Sequence, residues 1–295
     1  MSRATSQLWI DAISRYPLKT YSRMVGALAT IPVPRNFREA LWRPLAANFG
    51  MDLSEAEFAP SEYETFGDLF VRRLKPGQRP IDSGKASVVS PVDARVSAAG
   101  RATGRSLIQA KGVDYSLAEL LGDAELAEAL DGGEYLTLYL QPKDYHRIHC
   151  PLDAEIVAAR RISGTLYPVQ PWAVKYLRGL FVRNQRLVVE MKSSLGRFAV
   201  VCVGASGVGS IDSAFGEVDG EVRYQTPVGI GKGDELAAFN LGSTVIVVFE
   251  ADSVALGAVN LHDDVKVGQV LGRGIRKGAR GADSGDTIDS GQQND

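Results

Sequence analysis

Apolar positions recur at helical spacing through the first fifty residues and at strand spacing through most of the rest. Trp9, Ile13 and Tyr16 fall at i, i+4 and i+7, and Tyr21, Val25 and Leu28 repeat the interval. That pattern predicts a helix over 6–30 with one apolar stripe. Arg15, Lys19 and Arg23 sit four apart on another side. Pro17 is placed to kink or divide the helix, and Pro32 and Pro34 to end it. Residues 36–49 form a second amphipathic candidate, with Phe37, Leu41 and Leu45 four apart. Ser54-Glu55-Ala56-Glu57 reads as a capping signature, with a further helical stretch over 66–74.

After Pro76 the period changes. Short runs rich in Val, Ile, Tyr and Leu appear at 86–89, 95–98, 135–140, 156–160, 187–191, 198–203 and 245–249, separated by Gly, Pro and Asp. These read as strands. Residues 117–130 interrupt them as a short helical insert, with Leu117, Leu120, Leu121 and Ala124 on one side. Glycine crowds the region after 196, as tight turns between short strands require. From about Gly278 the chain has almost nothing to bury and reads as a disordered tail. The fold class is therefore α+β: N-terminal amphipathic helices, then a mostly antiparallel, sandwich- or barrel-like β body.

Composition adds exclusions. With 295 residues, 45% hydrophobic and 23% charged, the chain is an ordinary globular one. A net charge of -2 argues against a dedicated nucleic-acid binder. The balance hides an asymmetry. Residues 1–44 carry Arg3, Arg15, Lys19, Arg23, Arg35, Arg38 and Arg43 against Asp11 and Glu39, whereas the last fourteen residues hold Asp283, Asp286, Asp289 and Asp295 without a base. A basic amphipathic head fits either a helical pair packed on the body or an interfacial pair facing anionic lipid. No apolar run is long enough to span a bilayer, and the start lacks a signal-peptide pattern. The expectation is a chain that stays cytoplasmic or lies on a membrane without crossing it. Cys150 and Cys202 are too few for a disulfide framework and read as buried small residues.

Three short segments could carry chemistry. Two of the three histidines stand three apart in Asp144-Tyr145-His146-Arg147-Ile148-His149, and imidazole is the commonest general acid or base. His-x-x-His could also supply two metal ligands, but His262, beside Asp263 and Asp264, reads as a loop residue, so no metal is expected. Asp93 follows Ser90-Pro91-Val92 at the start of a strand, where an acid could orient an imidazole or cap a turn. Ser243, in Leu241-Gly242-Ser243-Thr244, enters the apolar run 245–249, where it could be a nucleophile or a strand-entry turn. It lacks the elbow motif of the α/β-hydrolases. Asp93, His149 and Ser243 together supply an orienter, a base and a nucleophile.

At these residues the chain resembles the short bacterial type of phosphatidylserine decarboxylase proenzyme. The segments that carry the resemblance are Phe70 to Pro80 (FVRRLKPGQRP), Ser90-Pro-Val-Asp93, Lys111 to Leu117, Tyr139 to Pro151, Leu180 to Arg186, Val203 to Ile211 and Gly233 to Thr244. They run in the family's order over about residues 60–250. The DYHRIH and LGST runs are the most specific. Two departures occur: Val92-Asp93-Ala94 where the family often has Ala-Asp-Gly, and Val169-Gln170-Pro171 where it often has Val-Asn-Pro.

The resemblance implies a cofactor made from the chain itself. Ser243 would attack the carbonyl of Gly242. The resulting ester would eliminate to release the upstream chain, and hydrolysis would leave a pyruvoyl group at residue 243. The chain would divide into 1–242 (beta) and 243–295 (alpha). His149 would be the base for that cleavage, with Asp93 orienting it. The pyruvoyl at 243 would be the Schiff-base centre, and His146 the acid/base for decarboxylation. If both imidazoles serve one site, 145–149 must depart from a regular strand, because residues three apart on a strand face opposite ways. The substrate would be phosphatidylserine in an anionic membrane, the product phosphatidylethanolamine, the location peripheral on the cytoplasmic side, and the assembly a homodimer of cleaved pairs. The implied organisation is a membrane-associating helical region over 1–60, a catalytic β-rich domain over 61–277 and a tail over 278–295. A serine hydrolase using the same three residues is the alternative. A biotinyl- or lipoyl-like carrier is a second, from runs 226–236 and 265–272, but neither run has a lysine in the expected setting.

Overall fold

The computed structural model describes residues 18–104, 106–110, 113–206, 210–240, 243–257 and 259–275. The first half of the expected 6–30 helix, Gly242 and the tail after Gly278 lie outside these. The described helices are α1 (Leu18–Ala29), α2 (Arg35–Phe49), α3 (Phe66–Phe70), α4 (Leu117–Leu121), α5 (Ala124–Ala129), α6 (Pro171–Tyr176) and α7 (Leu180–Arg183). The strands are β1 (Ser87–Val89), β2 (Ala94–Arg101), β3 (Ser106–Ala110), β4 (Val113–Ser116), β5 (Glu134–Leu140), β6 (Arg147–His149), β7 (Ala154–Ile162) and β8 (Arg186–Ser193). They continue as β9 (Gly196–Gly204), β10 (Ile211–Ser213), β11 (Glu221–Ile230), β12 (Glu235–Phe239), β13 (Ser243–Phe249), β14 (Val254–Leu256), β15 (Asp264–Val265) and β16 (Val270–Gly274). The molecule is α+β and its named strand pairs are antiparallel.

An eight-stranded sheet in the order β11-β7-β8-β9-β13-β5-β2-β15 forms the frame. Its centre is β13, the run that reads as uninterrupted apolar sequence. That pattern belongs to a strand covered on both faces. Val245, Val247 and Phe249 join one core cluster with Ile148 of β6 and Leu236 and Phe239 of β12. Ile246 and Val248 join the other, with Leu117 and Leu120 of α4 and Phe181 of α7. Two three-stranded sheets, β10-β12-β6 and β1-β16-β14, thus lie over one face. The short helices cover the other.

The head packs on the segment that follows it. Trp42 of α2 is buried with Tyr63 and Leu69, and its indole N–H donates to the Tyr63 carbonyl at 2.9 Å. The predicted stripe divides: Leu45 packs against that cluster, whereas Phe37 and Leu41 face solvent, as do Met24 and Leu28 of α1. The capping signature at Ser54–Glu57 starts no helix. A 3₁₀ turn at Pro60–Glu62 and the five-residue α3 follow instead. The capping box belongs to Thr65 and Asp68, whose side chains each accept the other's backbone N–H at 3.0 Å. The insert after residue 116 divides at Gly122 into α4 and α5.

Candidate active site

Ser243 is the first residue of β13, opposite Leu140 of β5 on one side and Gly204 of β9 on the other. Strand alternation puts its side chain on the face of Val245 and Val247, the face covered by the β10-β12-β6 sheet. It is fully buried, and its Oγ has no hydrogen-bond partner among the described residues. A buried hydroxyl left unpaired costs about 1–3 kcal/mol, so the position is poor for a merely structural serine.

The three candidate segments meet beside that strand. The backbone N–H of His149 in β6 donates to the Pro91 carbonyl at 2.8 Å, which brings the Ser90–Asp93 turn alongside the histidine segment. Phe239, at the end of β12, donates its N–H to the His146 carbonyl at 3.0 Å. Only residues 240–242 separate that anchor from Ser243. Three strand ends and two turns therefore converge, although the residues lie far apart in sequence.

The two imidazoles have different surroundings. Residues 147–149 are regular strand, whereas Tyr145 and His146 precede it in an irregular path. His146 is fully buried, with the Phe70 ring 4.1 Å away, centroid to centroid. Its Nδ1 lies 2.9 Å from the Asp144 carbonyl, and its Nε2 has no partner among the described residues. A carbonyl only accepts, so Nδ1 carries the proton and the Nε2 lone pair is unspent. Burial pushes its pKa down to about 3.

His149 is part-buried. Its Nδ1 donates to the Gly233 carbonyl at 2.8 Å, and its Nε2 faces the Tyr145 hydroxyl at 3.3 Å. With Nδ1 protonated, Nε2 is the acceptor and the phenol the donor. Burial holds this histidine below its usual pKa, with the Gly233 contact acting the other way. Gly233 has φ +87°, and a Cβ there would lie 2.7 Å from Ile81. Glycine is thus what lets this turn present its carbonyl to the imidazole.

Asp93 takes a partner that the motif reading missed. Both its oxygens accept from Arg79: the guanidinium Nε lies at 2.9 and 3.0 Å, and Nη2 at 2.5 Å from Oδ2. The Val267 N–H donates to Oδ1 at 2.9 Å. Arg79 also reaches Glu55 at 2.7 Å. Among the described residues no hydrogen bond links Asp93 to His149. The acid acts on the imidazole through its charge, which favours the protonated form. Arg79 and Arg72 both lie within the FVRRLKPGQRP segment. That segment was the available signal, but nothing local in it names Asp93 as a partner. His262 lies in the turn before β15, away from these contacts.

Residues 66–273 match the family model described as phosphatidylserine decarboxylase. A phosphatidylserine decarboxylase proenzyme of Anaeromyxobacter sp. (strain K) is 44% identical over 279 residues, covering 90% of this chain and 98% of that protein. One of Myxococcus xanthus (strain DK1622) is 42% identical over 255 residues, covering 84% and 91%. One of Halorhodospira halophila (strain DSM 244 / SL1) is 44% identical over 274 residues, covering 90% and 93%.

Proposed function

Since the chain belongs to the phosphatidylserine decarboxylase family, we propose that it is a self-processing, pyruvoyl-dependent enzyme that converts phosphatidylserine to phosphatidylethanolamine and carbon dioxide. The observation that carries this reading is the Ser243 hydroxyl, buried and unpaired at the head of the central strand. Such a hydroxyl is available to attack the preceding carbonyl, that of Gly242. The attack converts the peptide bond to an ester and frees the Ser243 amine. Loss of the Ser243 α-proton then expels the upstream carboxylate. Water adds to the resulting dehydroalanine, ammonia leaves, and the new chain begins with a ketone. The site suits that group, because strand pairing on both sides fixes the backbone of residue 243 and a group made from the chain is held there covalently. When formed, the pyruvoyl ketone supplies the electron sink that decarboxylation requires.

The chain's own residues take the proton steps. His149, neutral and fixed in one tautomer by Gly233, is the base for self-cleavage, and Tyr145 is its hydrogen-bond partner at Nε2. Asp93, held by Arg79 and the Val267 amide, supplies the negative charge that stabilises His149 once protonated. His146, with its free Nε2, holds or returns the proton during decarboxylation. The same resemblance implies a homodimer of cleaved pairs.

One denaturing gel tests the reading. A processed chain runs as bands of about 26 and about 6 kDa, in proportion to cleavage after residue 242 of a 31.7 kDa chain. Active protein that persists as a single band would sink it. Hydroxylamine or borohydride should inactivate the processed enzyme by reaction at the ketone.

The head is the proposed docking surface for an anionic bilayer. No described helix is long and apolar enough to cross a membrane. Met24, Leu28, Ile31, Phe37 and Leu41 are exposed, and Arg35 and Arg43 lie among them, the latter paired with Glu39 at 2.7 Å. Apolar side chains that enter the acyl boundary with cations at headgroup level suit a peripheral, cytoplasmic-side location. The double substitution Phe37→Glu, Leu41→Glu is expected to weaken binding to phosphatidylserine liposomes about tenfold or more. Self-cleavage should not change. Unchanged sedimentation with liposomes would refute the assignment.

A further inference from the structure

Beside the candidate site lies a charge that the steps above do not use. Arg72, two residues beyond α3, is 3% exposed. Its Nε and Nη1 have no hydrogen-bond partner among the described residues. Its remaining contact is a long one, from Nη2 to the Lys143 carbonyl at 3.3 Å. Burial lowers the pKa of the guanidinium, and Tyr63, Glu55 and Asp93 act on it electrostatically. The two nearby carboxylates are already committed. Glu55 and Asp93 both bond Arg79, at 2.7 Å and 2.5–3.0 Å. Glu55 and Asp93 therefore reach Arg72 only through space, and no carboxylate among the described residues is bonded to its guanidinium.

Unmade hydrogen bonds on a buried guanidinium are unfavourable until an acceptor joins it. A leucine or methionine would fill the same space at less cost. The position is next to the chemistry as well, since the Arg72 charge disfavours protonation of His146. The Lys143 carbonyl it touches belongs to the loop that leads into His146. Nε and Nη2 share one edge of the planar group, so an anion that displaced the long Nη2 contact would meet a two-donor fork, with Nη1 on the next edge still to be filled.

Building on the proposed function, we infer that Arg72 is the subsite that binds the phosphodiester of the phosphatidylserine headgroup. The headgroup offers two oxyanions, a carboxylate and a phosphodiester. The carboxylate departs as carbon dioxide, and a guanidinium fixed on it would hold the ground state more tightly than the transition state. The phosphodiester keeps its charge throughout the reaction. An ion pair to it is uniform binding, which appears in KM rather than in kcat. On entry the two phosphodiester oxygens take the edge of Nε and Nη2, replacing the Lys143 carbonyl as the partner of Nη2. Arg72 is thus assigned to substrate binding and specificity, not to the proton steps.

The test uses the full chain as wild type, Arg72→Gln and Arg72→Lys. The gel first reports whether each has self-cleaved, and so whether it has folded. With phosphatidylserine in mixed micelles, Arg72→Gln is expected to raise KM about 10- to 100-fold with kcat little changed. Arg72→Lys should fall between Gln and wild type. Inorganic phosphate should inhibit the wild type competitively and lose that effect in Arg72→Gln. O-octylserine, which keeps the amine and carboxylate but has no phosphodiester, should be turned over equally by wild type and Arg72→Gln. An unchanged KM for phosphatidylserine, or an O-octylserine rate that falls along with it, overturns the inference. If Arg72→Gln does not cleave, Arg72→Lys and phosphate competition in the wild type decide, and absence of that competition overturns it. A wild type that cleaves but does not decarboxylate phosphatidylserine counts against the proposed function instead.

Discussion

Ser243→Ala is expected to yield a chain that stays in one piece, folds at least as stably as the uncleaved parent, and decarboxylates at less than about a thousandth of the processed parent's rate. The three outcomes come from one structural fact. The Ser243 hydroxyl is buried and unpaired, while the backbone of residue 243 is fixed by pairing to Leu140 and Gly204. Replacing it by a methyl group removes no hydrogen bond. It relieves an unsatisfied polar atom worth about 1–3 kcal/mol. Most buried substitutions destabilise, so a gain in melting temperature together with complete loss of cleavage would be a distinctive pair of results. Intact mass, a denaturing gel and carbon dioxide release measure it. A serine hydrolase built on the same residues behaves differently, because its parent chain is already uncleaved and is labelled by serine-directed reagents. Cleavage persisting in Ser243→Ala would remove Ser243 from the proposal altogether.

Different parts of this fold were legible for different reasons. The central strand 243–249 announces itself because both of its faces are buried, so it needs no alternation to be read. Six of the other strands, β1, β2, β5, β7, β8 and β9, were found by their β-branched and aromatic content, with ends misplaced by one to three residues where pairing continues past the apolar run, as at Ala94–Arg101. Ser54–Glu57 misled because a capping pattern specifies a helix only when an apolar face follows to be buried. There the chain meets Pro60, and Asp52 accepts the Ser54 N–H instead. The stripe Phe37, Leu41 and Leu45 had the correct period, yet period alone does not say which of its members meet the body, as Leu45 does, and which meet solvent. In the site, the residue types were legible and the partners were not. Asp93 pairs with Arg79, fourteen residues before it, and His149 with Gly233, eighty-four after it. Such pairings depend on how the turns meet over the sheet, which no local pattern encodes.

The last prediction separates the two histidines. His149→Ala is expected to slow self-cleavage by about 10²- to 10⁴-fold. His146→Ala should leave cleavage close to normal and lower decarboxylation by a similar factor. The reasoning starts from protonation. Both imidazoles are held below the ordinary value of about 6.5 by burial, His146 down to about 3. For a histidine, a lowered pKa extends the neutral form to more acid pH. Both are therefore neutral bases at pH 7, and a pH profile should reflect this. The cleavage rate should stay level as pH falls through 6.5 and decline only below it, when His149 takes up a proton. A decline that begins above 6.5 contradicts the assignment. The two side chains differ in what their free nitrogen meets. Nε2 of His149 already receives the Tyr145 hydroxyl, a partner through which a proton can pass. Tyr145→Phe should accordingly slow cleavage less than His149→Ala does. Nε2 of His146 meets nothing among the described residues, in a dry setting under Phe70. A lone pair kept unspent there suits a proton taken from or returned to a bound substrate, a step that follows cleavage and does not precede it. If His146→Ala blocks cleavage while His149→Ala does not, the two roles are reversed. The free nitrogen of His146 would then be the one that serves Ser243.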